Sequence, residues 1–498
     1  MKDRLNLPTN LTSQWAKLAA VGVMLAGCQF LPDADEISQT VAPPAPTGER
    51  VTFDKLRQKD PQSKIGALGH PKVLAANGGV YSNQKLEELL ALITGELVSK
   101  SGDPERAFDI TILDSSAINA FALPGGYLYI TRGLLALAND TSEIAAVLAH
   151  EMAHVSSNHG IKRNNQVKAT DIADRVANQV VSNPVVSQIT KASAEQRLER
   201  FSKNQELQAD AVGIKLMGKA GFDPFAAARF LESMDRFSSW RSVLAEEALD
   251  ISKSHPSTPQ RIELARRHAR NIGPQGSFKP NKKRYLAGIE GMEFGDTTRQ
   301  GVIRGQRFYH AKHGFTFEAP QNFDLSNRQD AVLISGPNQM AVRFDAVKRS
   351  RKKIDPVTYI KSGWLNGLQG NSVRPQTING LQAASARATA SDWNFVVTVI
   401  ELDGRYYRFI LAAPRGTTDI ETPASKIASS FRRTTNKDKA ALKPLRIKIA
   451  RVGAADTVDS LSKRMRGVAR KRQLFLALNG LSEGQRPSTG SQIKIVTD

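Results

Sequence analysis

The chain is expected to adopt an α+β fold built in three parts, and three features of its sequence say so. Its 498 residues correspond to roughly three domains at about 150 residues each. Up to about residue 290, segments of helical period surround one short island of strand-like alternation, whereas about 307–435 changes to alternating Phe, Val and Ile. The tail beyond Leu442 then reads strand, helix, helix, strand, from "RIKIARV" to "QIKIV". The predicted organisation is a mainly helical body with a small sheet at 51–290, a β-rich α+β domain at 307–435 and a small βααβ module at 442–498.

At the N-terminus, Lys2, Arg4 and Lys17 precede an apolar run from Leu18 to Ala26 that is too short to span a bilayer. It closes on small residues, so 1–27 reads as a secretory leader. Leu25-Ala26-Gly27-Cys28 resembles a bacterial lipobox, which implies lipidation of Cys28 and a membrane surface as partner; stable anchoring needs more than one acyl chain. Cys28 is the only cysteine, which leaves no disulfide to hold the fold. Residues 28–50 are Pro-rich and lack apolar periodicity, as expected of a tether. With 69 Lys+Arg against 48 Asp+Glu, a net charge of +21, the partners should be anionic. A secreted chain does not meet nucleic acid, so anionic lipid headgroups and peptidoglycan remain. The stretch Lys443–Asp498, with 12 Lys/Arg against 4 Asp/Glu, is where they would bind. No further apolar run is long enough to predict a transmembrane helix.

Within the body, "NQKLEELLALITGELVSKSG" carries apolar residues at helical spacing and stops at Gly102. "FDITILD" and "AINAFALPGGYLYITRG" alternate like strands around the turn Pro124-Gly125-Gly126, with Ala117–Leu123 as an edge strand. A helix should start near Thr141, capped by Thr141 or Ser142. Residues 161–194 are polar, weakly periodic and interrupted at Pro184, the pattern of an inserted lid. Helices are expected at Glu195–Lys219, 225–238 and 259–270, with the loop "SHPSTPQ" before the last. A basic, Gly-rich stretch at about 272–306 reads as a connector.

The chemistry sits in "HEMAH", His150 to His154, on the helix from Thr141. Residues four apart share a helix face, so the imidazoles of His150 and His154 can meet one zinc ion with Glu151 beside them. A catalytic zinc needs a third protein ligand and an open position. An extended HExxHxxGxxH pattern does not supply it: Ser157 stands at the glycine position, Gly160 at the last histidine position, and His159 misses by one residue. Downstream, "ELQAD" places Glu206 and Asp210 on one helix face. Glu206 is the expected third ligand, and Asp210 the expected acceptor for the far nitrogen of a zinc-bound histidine.

Taken in order, "NAFALPGGYLYITRGLL", "HEMAH", "ELQADAVGIKLM" and "SHPSTPQRI" resemble the HtpX-like and CAAX-prenyl-protease-like gluzincin metallopeptidases over about residues 75–270, and most closely their periplasmic lipoprotein branch. The resemblance implies a zincin-like metalloprotease fold, one zinc ion per chain on His150, His154 and Glu206, and Glu151 as general base. It also implies that His255 and Arg261 lie near the cleft, as oxyanion donors or, for His255, as a gate on the metal. Asn119, Ala120 and Phe121 of the edge strand would pair with an extended substrate regardless of its sequence. The tail, through "LNGL" and Gly490-Ser491-Gln492, resembles a LysM-type glycan-binding module, although "AADT" stands where "GDT" is usual.

These readings lead to a lipid-anchored zinc endopeptidase on the periplasmic face of the bacterial envelope, at the outer membrane, acting on unfolded or misassembled envelope polypeptides. Two others stay open: a gated, chaperone-like scaffold of envelope assembly, and a cell-wall peptide hydrolase. The 307–435 domain carries no chemical signature; His310 and His313 lack a third ligand.

Overall fold

Among the described residues, α1 (Ser63–Ala76) and α2 (Gln84–Ser99) lead into β1 (Asp109–Leu113), β2 (Ala120–Leu123) and β3 (Tyr127–Thr131). The computed structural model describes residue 60 and residues 62–163, 184–242, 255, 257–278, 280–297, 299–327, 331–349, 353–390 and 392–498. The leader, Cys28, the tether and most of the 161–194 insertion lie outside them. The three strands form a sheet in the order β1-β3-β2, β1 parallel and β2 antiparallel to β3, so β2 is an edge. The tight β2–β3 turn requires glycine. Gly125 and Gly126 have φ of 84° and 80°, and a Cβ on Gly126 would lie 1.9 Å from the Ala107 carbonyl oxygen.

Helix α3 (Arg132–Leu137) follows, and then α4 (Thr141–Ser156), which carries "HEMAH". Its cap is Asp140 rather than Thr141 or Ser142: the Asp140 carboxylate accepts from the Ser142 and Glu143 N–H groups at 2.8 and 2.9 Å. One carboxylate oxygen, Oδ1, accepts from both unpaired first-turn donors, and Oδ2 accepts from Arg229 at 3.2 Å. Residues 159–163 are helical again, and α5 (Pro184–Lys219) begins well before the expected Glu195. Pro184 opens it instead of breaking it, because the N–H that proline lacks has no partner in a first helical turn. Helices α6 (Ala226–Ser242), α7 (Pro259–Arg270) and α8 (Lys282–Ile289) complete the body.

The stretch expected to be a connector supplies α8, and also β4 (Glu293–Phe294). The β-rich region then holds β5 (Val302–Arg304), β6 (Arg307–His310), β7 (Phe315–Glu318), β8 (Asp324–Asn327), β9 (Val332–Ser335) and β10 (Ala341–Lys348). After α9 (Pro356–Ile360) come β11 (Arg374–Ile378), β12 (Leu381–Ala390), β13 (Trp393–Leu402), β14 (Arg405–Pro414), α10 (Glu421–Ser429) and β15 (Arg432–Arg433). A seven-stranded antiparallel sheet, β11-β12-β13-β14-β10-β9-β8, faces a four-stranded one, β15-β7-β6-β5, across Phe308, Phe315, Phe317, Phe344 and Phe431.

After α11 (Asn436–Ala441), the tail forms β16 (Leu445–Arg451), α12 (Val458–Lys463), α13 (Lys471–Asn479) and β17 (Gln492–Thr497). This βααβ segment shares one core with the body: Phe475, Leu478, Ile493 and Ile495 are buried in the same cluster as Leu86, Leu135 and Leu148. Its sheet is completed by β4, in the order β17-β16-β4. Lys494, fully buried, donates its ammonium to the carbonyls of Ala136, Leu137 and Ala138 at 2.6 to 2.8 Å. It thereby satisfies the carbonyls that close α3, immediately before the α4 cap.

Candidate metal centre

Helix α4 is buried on nearly every side, and its alanines let neighbours come close. At Gly213 of α5, an added Cβ would lie 3.0 Å from the Ala149 carbonyl carbon and the His150 nitrogen. That contact fixes α5 against α4 and sets Asp210 and Glu206, one and two turns earlier, beside the histidines. His150 Nε2 and His154 Nε2 are 3.0 Å apart, and each lies 3.4 Å from a carboxylate oxygen of Glu206.

These separations test whether a metal fits. Zinc bonds of about 2.0–2.1 Å in tetrahedral geometry place neighbouring donor atoms about 3.3 Å apart, close to the three edges seen here. The donors also have the right chemistry: two imidazoles and a carboxylate, the His₂Glu set of catalytic zinc sites. His255 completes a fourth corner, its Nδ1 2.8 Å from Glu206 Oε2 and 3.3 Å from His150 Nε2. His150, His154, Glu206 and His255 together form the one group able to hold a metal ion among the described residues.

Behind the donors, the Asp210 carboxylate lies 2.9 Å from His150 Nδ1 and accepts its N–H, which directs Nε2 toward a metal. Arg261 clamps that carboxylate with two bonds, Nε at 2.7 Å and Nη2 at 2.8 Å, and its Nη1 reaches Glu206 at 3.1 Å. Arg261, expected near the cleft, is buried and lines the cavity beside His150 and Glu151, with its guanidinium facing the Asp210 and Glu206 carboxylates. Burial alone would raise the Glu206 pKa, but the imidazoles of His150, His154 and His255 hold it far below the usual carboxylate range. For Asp210, likewise, burial is outweighed by Arg261 and His150. Burial works against a charged His150, yet its bonds to Asp210 and Glu206 lift its pKa to about 10. The field at that ring favours a cation, proton or metal alike.

Glu151 is buried beside His150, with its carboxylate 3.9 Å from His255 Nε2. A cavity of about 60 Å³ opens next to it, walled by Ala120, Leu134, Ala146, Val147 and Phe230. Ala120 belongs to edge strand β2, so the strand borders the same space as His150, Glu151 and His255. The Thr131 N–H donates to the Asn119 carbonyl at 2.9 Å. By antiparallel alternation, Asn119 and Phe121 therefore point their backbone groups at β3, whereas Ala120 and Ala122 point theirs at the free edge.

One neighbour escaped the sequence reading. His159 lies five residues past His154, about 140° around a continuous helix. The helix does not continue: Asn158 has φ of 53°, and the turn swings His159 back until its Nδ1 is 3.0 Å from His154 Nδ1. The signal available was the histidine itself, set aside because it does not fit the extended ligand spacing.

Comparison with known proteins agrees with this geometry. Residues 84–269 match the family described as Peptidase family M48. The beta-barrel assembly-enhancing protease of Yersinia pestis is 27% identical over 296 residues, covering 54% of this chain and 58% of its own length. The putative beta-barrel assembly-enhancing protease of Vibrio cholerae is 29% identical over 43% of this chain and 45% of its own. The mitochondrial metalloendopeptidase OMA1 of Schizosaccharomyces pombe is 30% identical over 33% and 48%. The chain thus spans about half the length of the curated relatives it matches. The match to peptidase family M48 spans residues 84–269 and takes in His150, Glu151, His154 and Glu206.

Proposed function

We propose that the chain is a zinc endopeptidase of the bacterial cell envelope that cleaves unfolded or misassembled polypeptides held as an added strand on β2. The observation that carries this reading is that Ala120 of edge strand β2, Glu151 and His150 of the donor set line one cavity. A zinc ion on those donors supplies Lewis acidity and acidifies water at neutral pH. Glu151 accepts the proton of the attacking water and returns it to the leaving amine. Ala120 and Ala122 orient the substrate backbone through main-chain bonds that any extended sequence can make and a folded one cannot. The apolar cavity favours a small apolar side chain next to the scissile bond.

Similarity to proteins named for β-barrel assembly supports an envelope setting, since such barrels belong to outer membranes. Lipidation at Cys28 would then hold the enzyme on the periplasmic face of the outer membrane. The basic face of 443–498 would rest on anionic lipid or peptidoglycan. Replacing Ala122 by Pro removes one outward N–H from β2. Cleavage of unfolded casein should fall about tenfold with zinc content unchanged; an undiminished rate would remove β2 from substrate binding.

A gated state is favoured by one observation, the place of His255 at the fourth corner of the donor set. A ligand there closes the position that water needs. His255→Ala should raise basal casein cleavage several-fold at equal zinc content, and unchanged or lower cleavage would exclude gating by this side chain.

A further inference from the structure

We infer that His159 is a positioning residue that fixes the tautomer of His154 through a relay ending on α5. The inference rests on the reading that His150, His154 and Glu206 hold zinc. With His154 Nε2 as a ligand, the proton of its neutral ring sits on Nδ1. The group facing that nitrogen is His159 Nδ1 at 3.0 Å, which must accept. The His159 proton is then on Nε2, and Nε2 faces Gln208 Oε1 at 3.2 Å, an acceptor. Each bond dictates the direction of the next, from the Gln208 amide to the bare Nε2 of His154.

The surroundings are built to hold this ring. His159 is 2% exposed, although it follows the end of α4. Its backbone carbonyl accepts from the buried side chain of Gln205 at 3.1 Å. The left-handed turn at Asn158 that delivers it carries a conformational cost for a residue with a Cβ. That turn is tied down in turn, as the Asn158 amide oxygen accepts from Gln62 Nε2 at 2.9 Å. Gln205 and Gln208 lie on the same helix as Glu206 and Asp210, so α5 supports both histidines: His150 through the Asp210 carboxylate, His154 through a neutral imidazole.

The test uses the full chain, with His159→Leu removing the acceptor and His159→Asn keeping a carbonyl oxygen near the Nδ1 position. Zinc affinity comes from competition with a chromophoric chelator. The His154 tautomer comes from ¹⁵N ring shifts of the metal-free protein, so one readout does not depend on metal. Removing a group behind a ligand costs roughly 10–100-fold in metal affinity. His159→Leu should weaken zinc binding by at least about tenfold and move the His154 ring away from the Nδ1–H form, and His159→Asn should restore both to within about threefold. If His159→Leu keeps the wild-type tautomer and affinity, or if the asparagine variant is as impaired as the leucine one, His159 is only a packing residue. If the wild-type chain binds no zinc, it is the underlying metal assignment that fails.

Discussion

Glu151→Gln should retain one zinc per chain and lose proteolysis by about 10²–10⁴-fold, the range for removing a positioned general acid–base. Glutamine keeps the shape of a buried side chain that lies beside, and not among, the metal donors, so the fold and the donor set stay intact. What disappears is the ability to take a proton from water and hand it to the amine. Zinc stoichiometry and casein cleavage on the same preparation separate the two effects. Equal turnover by variant and wild type would show that another group is the base.

Glu206→Ala should have the second large effect, on the metal itself. This carboxylate faces His150, His154 and His255 and receives a bond from Arg261, so it is the hub of the site. Its removal takes one of three ligands and one carboxylate partner of the buried Arg261. Zinc affinity should fall by about 100-fold or more, beyond the effect expected of groups behind the ligands. Cleavage should fall with occupancy and recover in part when zinc is added in excess. Full occupancy at limiting zinc in this variant would take Glu206 out of the donor set.

The donor set was legible because its geometry is local. Four-residue spacing puts His150 and His154 on one face of α4, and the same spacing aligns Glu206 with Asp210 on α5. The strands on either side of Gly125-Gly126 were equally legible, since a period of two and a glycine turn are short-range signals. What stayed hidden depends on partners distant in sequence. Strand β4 is two residues long and exists through its pairing with β16, about 150 positions later. Lys494 looks like one more basic residue of the tail, yet it is buried against the carbonyls that end α3. The 442–498 segment reads as an appendage because its helices and strands are locally complete, while its apolar side packs into the peptidase core. His159 was missed for another reason: it was weighed only against the extended ligand spacing, while the left-handed residue Asn158 brings it behind His154.

The most direct measurement is a crystal structure of the zinc-loaded chain with data collected on both sides of the zinc absorption edge. One anomalous peak is expected, within about 2.0–2.2 Å of His150 Nε2, His154 Nε2 and a Glu206 oxygen. A peak bonded to the two histidines with the Glu206 carboxylate beyond bonding reach, or a peak elsewhere in the molecule, would contradict it.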